Sequence, residues 1–163
     1  MTLREERKTV TVRDSPREER KRDSPCEKKI NLISNTMLLY ESLTDKIIEA
    51  AYHVHNELGC GFLEKVYQEA LAIQMTEMGI PFEREKRLDV YYHGKCLQCD
   101  YFADFVVDDK VILELKAVTE MDKIFKAQTI NYLKITGYKI GFLMNFGKER
   151  LEFHRISNFP SRQ

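Results

Sequence analysis

No apolar run in this 163-residue sequence approaches the roughly 20 residues that a membrane-spanning helix needs. The N-terminus also lacks the apolar core of a signal peptide, so a cytoplasmic protein with no membrane partner is expected. Cysteine is scarce. Cys26, Cys60, Cys96 and Cys99 give one Cys-x-x-Cys pair and no second, and a zinc site would have to recruit Cys60 or His93. Reduced, structural thiols are the simpler reading. Neither a glycine-rich phosphate loop nor a Ser-His-Asp arrangement is present. An excess of positive charge is missing too: 26 Lys/Arg balance 26 Asp/Glu. Residues 1–36 hold ten Lys/Arg against seven Asp/Glu, and the remainder 16 against 19, which leaves the larger part at −3. A chain without a basic footprint is a poor candidate for tight nonspecific nucleic-acid binding, and any phosphate contact must come from a local patch.

The first 36 residues are dense in charge, poor in apolar residues and devoid of aromatics. They repeat Arg-Asp-Ser-Pro at Arg13–Pro16 and Arg22–Pro25. Such a segment cannot bury enough surface to offset its ordering entropy, so a disordered tail is expected over 1–36, ahead of a folded domain over 37–163. The mixture of both charge signs favours a plain tail, or sequence upstream of a start at Met37, over a basic arm for nucleic acid.

From Ser42 the pattern becomes helical. Leu43, Ile47, Ile48, Ala51, Val54 and Leu58 form one stripe, which Gly59 ends. Gly61 is expected to open a second helix, with Leu63, Val66, Tyr67, Ala70 and Ile73 facing inward, ending at Gly79-Ile80-Pro81. A strand follows over about 82–92, then a turn at His93-Gly94. Two apolar strands over about 97–107 and 111–118 are joined through Asp108-Asp109-Lys110. A third helix runs from about Thr119, a plausible N-cap, to Gly137. Two more strands cover 138–146 and 151–156. The order α-α-β-β-β-α-β-β implies an α/β (α+β) domain, a mixed central sheet flanked by helices.

Glu114 and Lys116 interrupt an otherwise apolar strand from Val111 to Val118. Alternation puts both on one face, with Val111, Leu113 and Leu115 on the other. A two-residue turn would set Asp104 opposite Leu113. A three-residue loop, or one bulge, sets Asp104 opposite Glu114 and Phe102 opposite Lys116, and makes Phe105, Val107, Val111, Leu113 and Leu115 one apolar face. The second register is expected. A buried salt bridge from Lys116 to either carboxylate is the plain reading of the charged face. Two carboxylates to one ammonium also suit a divalent cation such as Mg²⁺, with Lys116 acting on an attacking water or on developing phosphorane charge.

Asp104…Glu114-x-Lys116 resembles the core signature of the PD-(D/E)XK nuclease superfamily. Gly61-Phe62-Leu63-Glu64-Lys65-Val66-Tyr67 is similar to the Gly-x-x-Glu-x-x-Tyr signature of the GxxExxY protein family, a branch assigned to that superfamily, and His55–Gly59 looks like the stretch before it. Gln128 and Tyr132, at i and i+4 on one helix face, resemble the Gln-x-x-x-Tyr motif of the RecB-like branch. Asn131–Lys134 and Asn145-Phe146-Gly147 read like the family's C-terminal half. The resemblance spans about residues 40–158 and implies a restriction-endonuclease-like core that hydrolyses nucleic-acid phosphodiesters with Mg²⁺ or Mn²⁺. It further implies Asp104 and Glu114 as metal ligands, Glu64 as a third carboxylate or the holder of a ligating water, Lys116 on the nucleophile, and Gln128 in support. Glu64 is equally explained as a helix N-terminal acid, and Gln128 as a surface residue beside a core Tyr132. Cys60 stands where many relatives have proline. Phe102 stands where many have arginine, which removes a phosphate contact. Relatives with an iron–sulfur cluster take cysteines after the last motif, and none follows Cys99 here. The alternative function is a noncatalytic nucleic-acid-binding or assembly module that keeps the fold. A homodimer or partner protein would complete the groove of so small a domain.

His53 and His55 lie about 200° apart around their helix and cannot share one metal. His53 is expected at the surface and His55 in packing or capping. Asp108 and Asp109 read as turn residues, Asp100 as peripheral, and Met75 with Met78 as helix packing.

Overall fold

The computed structural model describes residues 39–159, and the expectations for residues 1–36 lie outside the described residues. Among the described residues, three helices and seven strands follow in the order α1 (Glu41–Leu58), α2 (Glu64–Glu77), β1 (Phe82–Arg87), β2 (Tyr91–Tyr92), β3 (Lys95–Cys96), β4 (Phe102–Val107), β5 (Val111–Lys116), α3 (Lys123–Thr136), β6 (Ile140–Asn145) and β7 (Glu152–Ser157). Strands β1-β4-β5-β6-β7 form one sheet, and β2-β3 a separate two-stranded ribbon. Pairing is antiparallel except between β5 and β6, which α3 connects as a parallel crossover. This is the mixed, helix-flanked sheet that the element order implied.

Two apolar clusters cover the two faces. Ile47, Ala51 and Val54 of α1 and Tyr67, Leu71 and Met75 of α2 pack on Phe105, Val107, Val111, Leu113 and Leu115, the apolar face expected from the hairpin. Tyr132 and Leu133 of α3 pack on Val106, Ile112, Leu143 and Ile156. The stripe of α1 is therefore buried as its spacing predicted. That of α2 is buried only in part: Tyr67 is inward as expected and Ala70 is half-buried, but Leu63 (79% exposed), Val66 and Ile73 (61%) face outward, and Gln68, Leu71, Ala72 and Met75 turn inward in their place. Both sets have helical spacing, and tertiary contact with α1 decides between them.

Other boundaries differ for local reasons. Gly61 has φ 110°, which no helix adopts, so α2 begins at Glu64. Asp122, not Thr119, caps α3, its carboxylate accepting from the Ile124 amide at 2.9 Å. The long strand expected over 82–92 is β1 plus the first strand of the small ribbon, and its later partner starts at Phe102 rather than Leu97. Among the described residues no helix is long and apolar enough to cross a membrane.

Candidate functional site

The β4–β5 hairpin has the register expected of a three-residue connection. Val107 pairs with Val111, Val106 with Ile112 and Phe105 with Leu113. The next pair would be Asp104 with Glu114, and there the ladder stops. Asp104 uses its side chain instead: Oδ2 accepts from the Leu115 amide at 2.7 Å, a donor that β4 backbone would otherwise satisfy. On the other side of β4, the ladder with β1 skips the same residue, because Glu85 opposite it is in the left-handed region at φ 47°. Face alternation breaks here too, since Ala103 packs in the α3-side cluster and Phe105 in the other. The carboxylate of Asp104 therefore enters through the opening between two parting strands, not from a continuous hairpin face.

The opening gathers three of the remaining expected residues. On β5, held firm by its six-residue parallel pairing with β6, Glu114 is 3% exposed and Lys116 9%. Lys116 Nζ donates to Glu114 Oε1 at 2.7 Å, lies 5.4 Å from the centre of the Phe125 ring and 4.0 Å from Glu64 Oε2 at the start of α2. Glu114 Oε2 is buried without a hydrogen-bond partner. Gln68, one turn after Glu64, is 6% exposed and donates to Asp104 Oδ1 at 3.2 Å. Sequence reasoning passed over Gln68. Its only signal was the i, i+4 spacing from Glu64.

Burial raises the pKa of Glu114 to about 7, and the charge of Asp104 adds to the rise against the pull of Lys116. Asp104 is raised by burial, against the Leu115 amide and Lys116, and Glu64 by burial, against Lys116. Burial alone would lower Lys116, but Glu114 beside it, with Glu64 and Asp104, raises it above its ordinary value. Lys116 is thus an ammonium at neutral pH.

Gln128 and Tyr132 share a face of α3, with Gln128 Nε2 donating to the Tyr132 hydroxyl at 2.5 Å. The Tyr132 ring meets Tyr101 edge-on at 4.7 Å. Burial first, then the negative charge of Glu114, raises the Tyr132 pKa. The pair therefore forms a wall near Glu114, and Gln128 spends its amide on Tyr132. Tyr67 has a structural role. Its hydroxyl donates to the Gly59 carbonyl at 2.9 Å, accepts from the Phe62 amide at 3.2 Å and so closes the turn that sets Glu64 in place. At the far end of β5, the Asn145 side chain accepts from the Val118 and Gly147 amides and donates to the Val118 carbonyl. A Cβ on Gly147 would lie 2.4 Å from the Val118 nitrogen, so only glycine fits against the strand that carries Lys116. His53 is exposed and faces Glu49, whereas His55 is buried with Nε2 bonded to the Lys148 carbonyl at 2.9 Å.

Among the described residues no three His, Cys, Asp or Glu side chains group closely enough to hold a metal ion by themselves. Asp104, Glu114 and Glu64 therefore do not form a closed cage, and Cys96 with Cys99 does not gather a zinc set.

A family model for the PD-(D/E)XK nuclease superfamily matches residues 41–156. The chain belongs to that superfamily. Among curated proteins none matches the sequence significantly. Two solved structures are similar to this PD-(D/E)XK domain. One is SSO0001, at 17% identity and a TM-score of 0.46, covering 60% of this chain and 52% of that one. The other is an alkaline exonuclease, LHK-Exo, from Laribacter hongkongensis, at 14% identity and a TM-score of 0.44, covering 58% of this chain and 56% of that one. The chain spans little more than half the length of either. PD-(D/E)XK nucleases typically use divalent metals.

Proposed function

We propose that the protein is a divalent-metal-dependent nuclease that hydrolyses nucleic-acid phosphodiester bonds, with Mg²⁺ or Mn²⁺ held by Asp104 and Glu114. The observation that carries this reading is Glu114 Oε2, buried and without a partner on a carboxyl whose pKa stands near 7. Such an oxygen is costly in a native protein unless something binds it. A divalent cation fits it. Mg²⁺ takes one or two protein carboxylates and leaves its other positions to water and phosphate, so two inner carboxylates suffice. Glu64, half-exposed at the rim, would hold a ligating water. When bound, the metal would lower the pKa of water and neutralise phosphate charge.

This chain's own residues would do the rest. Gln68 and the Leu115 amide hold the Asp104 carboxylate in one orientation and leave it acceptor capacity. Lys116, charged at neutral pH, would donate to an attacking water or to the phosphate oxygens rather than abstract a proton. Gln128 would support the site through Tyr132. Gly61, Glu64 and Tyr67 form one device, a closed turn delivering a carboxylate, which supports the GxxExxY placement. The Gln128–Tyr132 pair supports the RecB-like one.

The test is a Mg²⁺ and Mn²⁺ cleavage panel on single- and double-stranded DNA and RNA, with Glu114→Gln and Lys116→Ala beside the wild type. Metal-dependent cleavage lost in both variants is expected. Activity that persists in the variants would mark contamination and sink the assignment. Nucleic-acid binding with no cleavage would favour the noncatalytic module.

A further inference from the structure

We propose that the β2–β3 ribbon is a base-stacking arm that binds single-stranded nucleic acid beside the site; the inference rests on the nuclease reading above. The ribbon is small and tightly made. Tyr91 pairs with Cys96 and Tyr92 with Lys95, across a two-residue turn in which His93 and Gly94 have φ of 49° and 75°. Tyr91 is 64% exposed and Tyr92 66%. Neighbours in a strand point to opposite faces, so each side of the ribbon carries an open phenol ring. Neither ring belongs to a core cluster. Tyr91 thus stands in water, and Tyr92, in edge-on contact with His93 at 4.2 Å, keeps most of its ring exposed, on a ribbon that packs neither into the core.

Its position ties it to the site. The neck closes where the Leu88 amide donates to the Tyr101 carbonyl at 2.7 Å. Tyr101 is the residue packed on Tyr132. Phe102, next along and 45% exposed, precedes Asp104 by two residues. A strand threaded past Asp104 would meet aromatic surface first.

Charge identifies the occupant. Duplex binding draws most of its affinity from lysine and arginine on phosphates, and the part of the chain beyond residue 36 has a net charge of −3. Nearby cations are engaged: Lys65 with Glu85, Arg84 with Glu69, and Lys86 with Glu83 and Asp109. Lys95, opposite Tyr92, is exposed, and Arg87 at the neck has only a 3.9 Å approach to Asp89. Stacking on aromatic rings is sequence-tolerant and demands an unstacked base. Duplex bases are already stacked. The arm thus suits a single strand gripped by its bases, with one or two cations on the backbone.

The experiment uses the full chain in EDTA, so that binding is read without cleavage. Fluorescence anisotropy compares a labelled 20-nucleotide single strand with the duplex of the same sequence. Tighter single-strand binding is expected, weakened roughly ten-fold or more by Tyr91→Ala/Tyr92→Ala and kept by Tyr91→Phe/Tyr92→Phe. In the wild type, which has no tryptophan, tyrosine emission should be quenched by the single strand and not by the duplex. This readout does not depend on a variant folding. Unchanged affinity in the alanine pair, duplex preference, or no binding at all overturns the arm. Failure of the nuclease reading is seen separately, as no cleavage in Mg²⁺ or Mn²⁺ while EDTA binding and its loss in the alanine pair persist.

Discussion

Glu114 joins the stability of this domain to its chemistry. Its folded pKa of about 7 lies above the ordinary 4.5, so the folded state holds a proton that the unfolded chain has released. That contribution is fully present below about pH 4.5, and it is lost as pH rises through 7. Thermal melts in EDTA should therefore show a fall in stability across this window that is flatter in Glu114→Gln, and Mg²⁺ or Mn²⁺ should restore the wild type above pH 7. An equally steep wild-type and variant profile would contradict the assignment. Lys116→Met removes the partner of a buried carboxylate and should cost about 3 kcal/mol by urea unfolding at pH 8. The cost should shrink at pH 5, where Glu114 takes up a proton, and the double variant Glu114→Gln/Lys116→Met should be more stable than Lys116→Met alone.

The elements around the site act as clamps. Tyr67→Phe strips two hydrogen bonds from the Gly59–Phe62 turn, so a loss of about 1–2 kcal/mol is expected. A larger proportional fall in metal-dependent activity should accompany it as Glu64 loses its seat. Gly147→Ala would drive a Cβ into Val118 and Ala117 at the end of β5. Overpacking of this kind costs about 1–3 kcal/mol, and weaker Mn²⁺ binding by calorimetry should follow from the shift of Lys116. At this scale the sequence was informative wherever pattern and tertiary packing agreed. Only one hairpin register left Phe105, Val107, Val111, Leu113 and Leu115 on a single apolar face, and Glu114 and Lys116 stood out as charges on the opposite face of the same strand. On α2 the pattern offered two helical faces, and Leu63, Val66 and Ile73 were placed on the wrong one because contact with α1 is not written in the helix itself. Gln68 was invisible because a helix glutamine reads as surface and its partner lies 36 residues away. The parting of the strands at Asp104 was equally hidden, being a competition between a side chain and a backbone ladder.

For the whole molecule, the decisive fact is a nuclease-superfamily domain whose residues beyond 36 carry a net charge of −3 rather than an excess of positive charge. Binding that neutralises one or two phosphates gives a log K against log salt slope between about −0.7 and −1.4 for a single strand. Anisotropy titrations at several salt concentrations should find this shallow dependence. A slope steeper than about −4 would require a cluster of phosphate contacts beyond Lys95 and Arg87.

The opening at Asp104 also divides the site into halves of unequal mobility. β5 is bonded along its length to β6, whereas β4 pairs with it only from Phe105 to Val107. The Leu115 amide is protected from solvent exchange by a carboxylate, not by a strand. Its hydrogen–deuterium exchange becomes a local clock for Asp104, speeding up whenever that side chain turns away, while the neighbouring amides of β5 keep the tempo of the whole sheet.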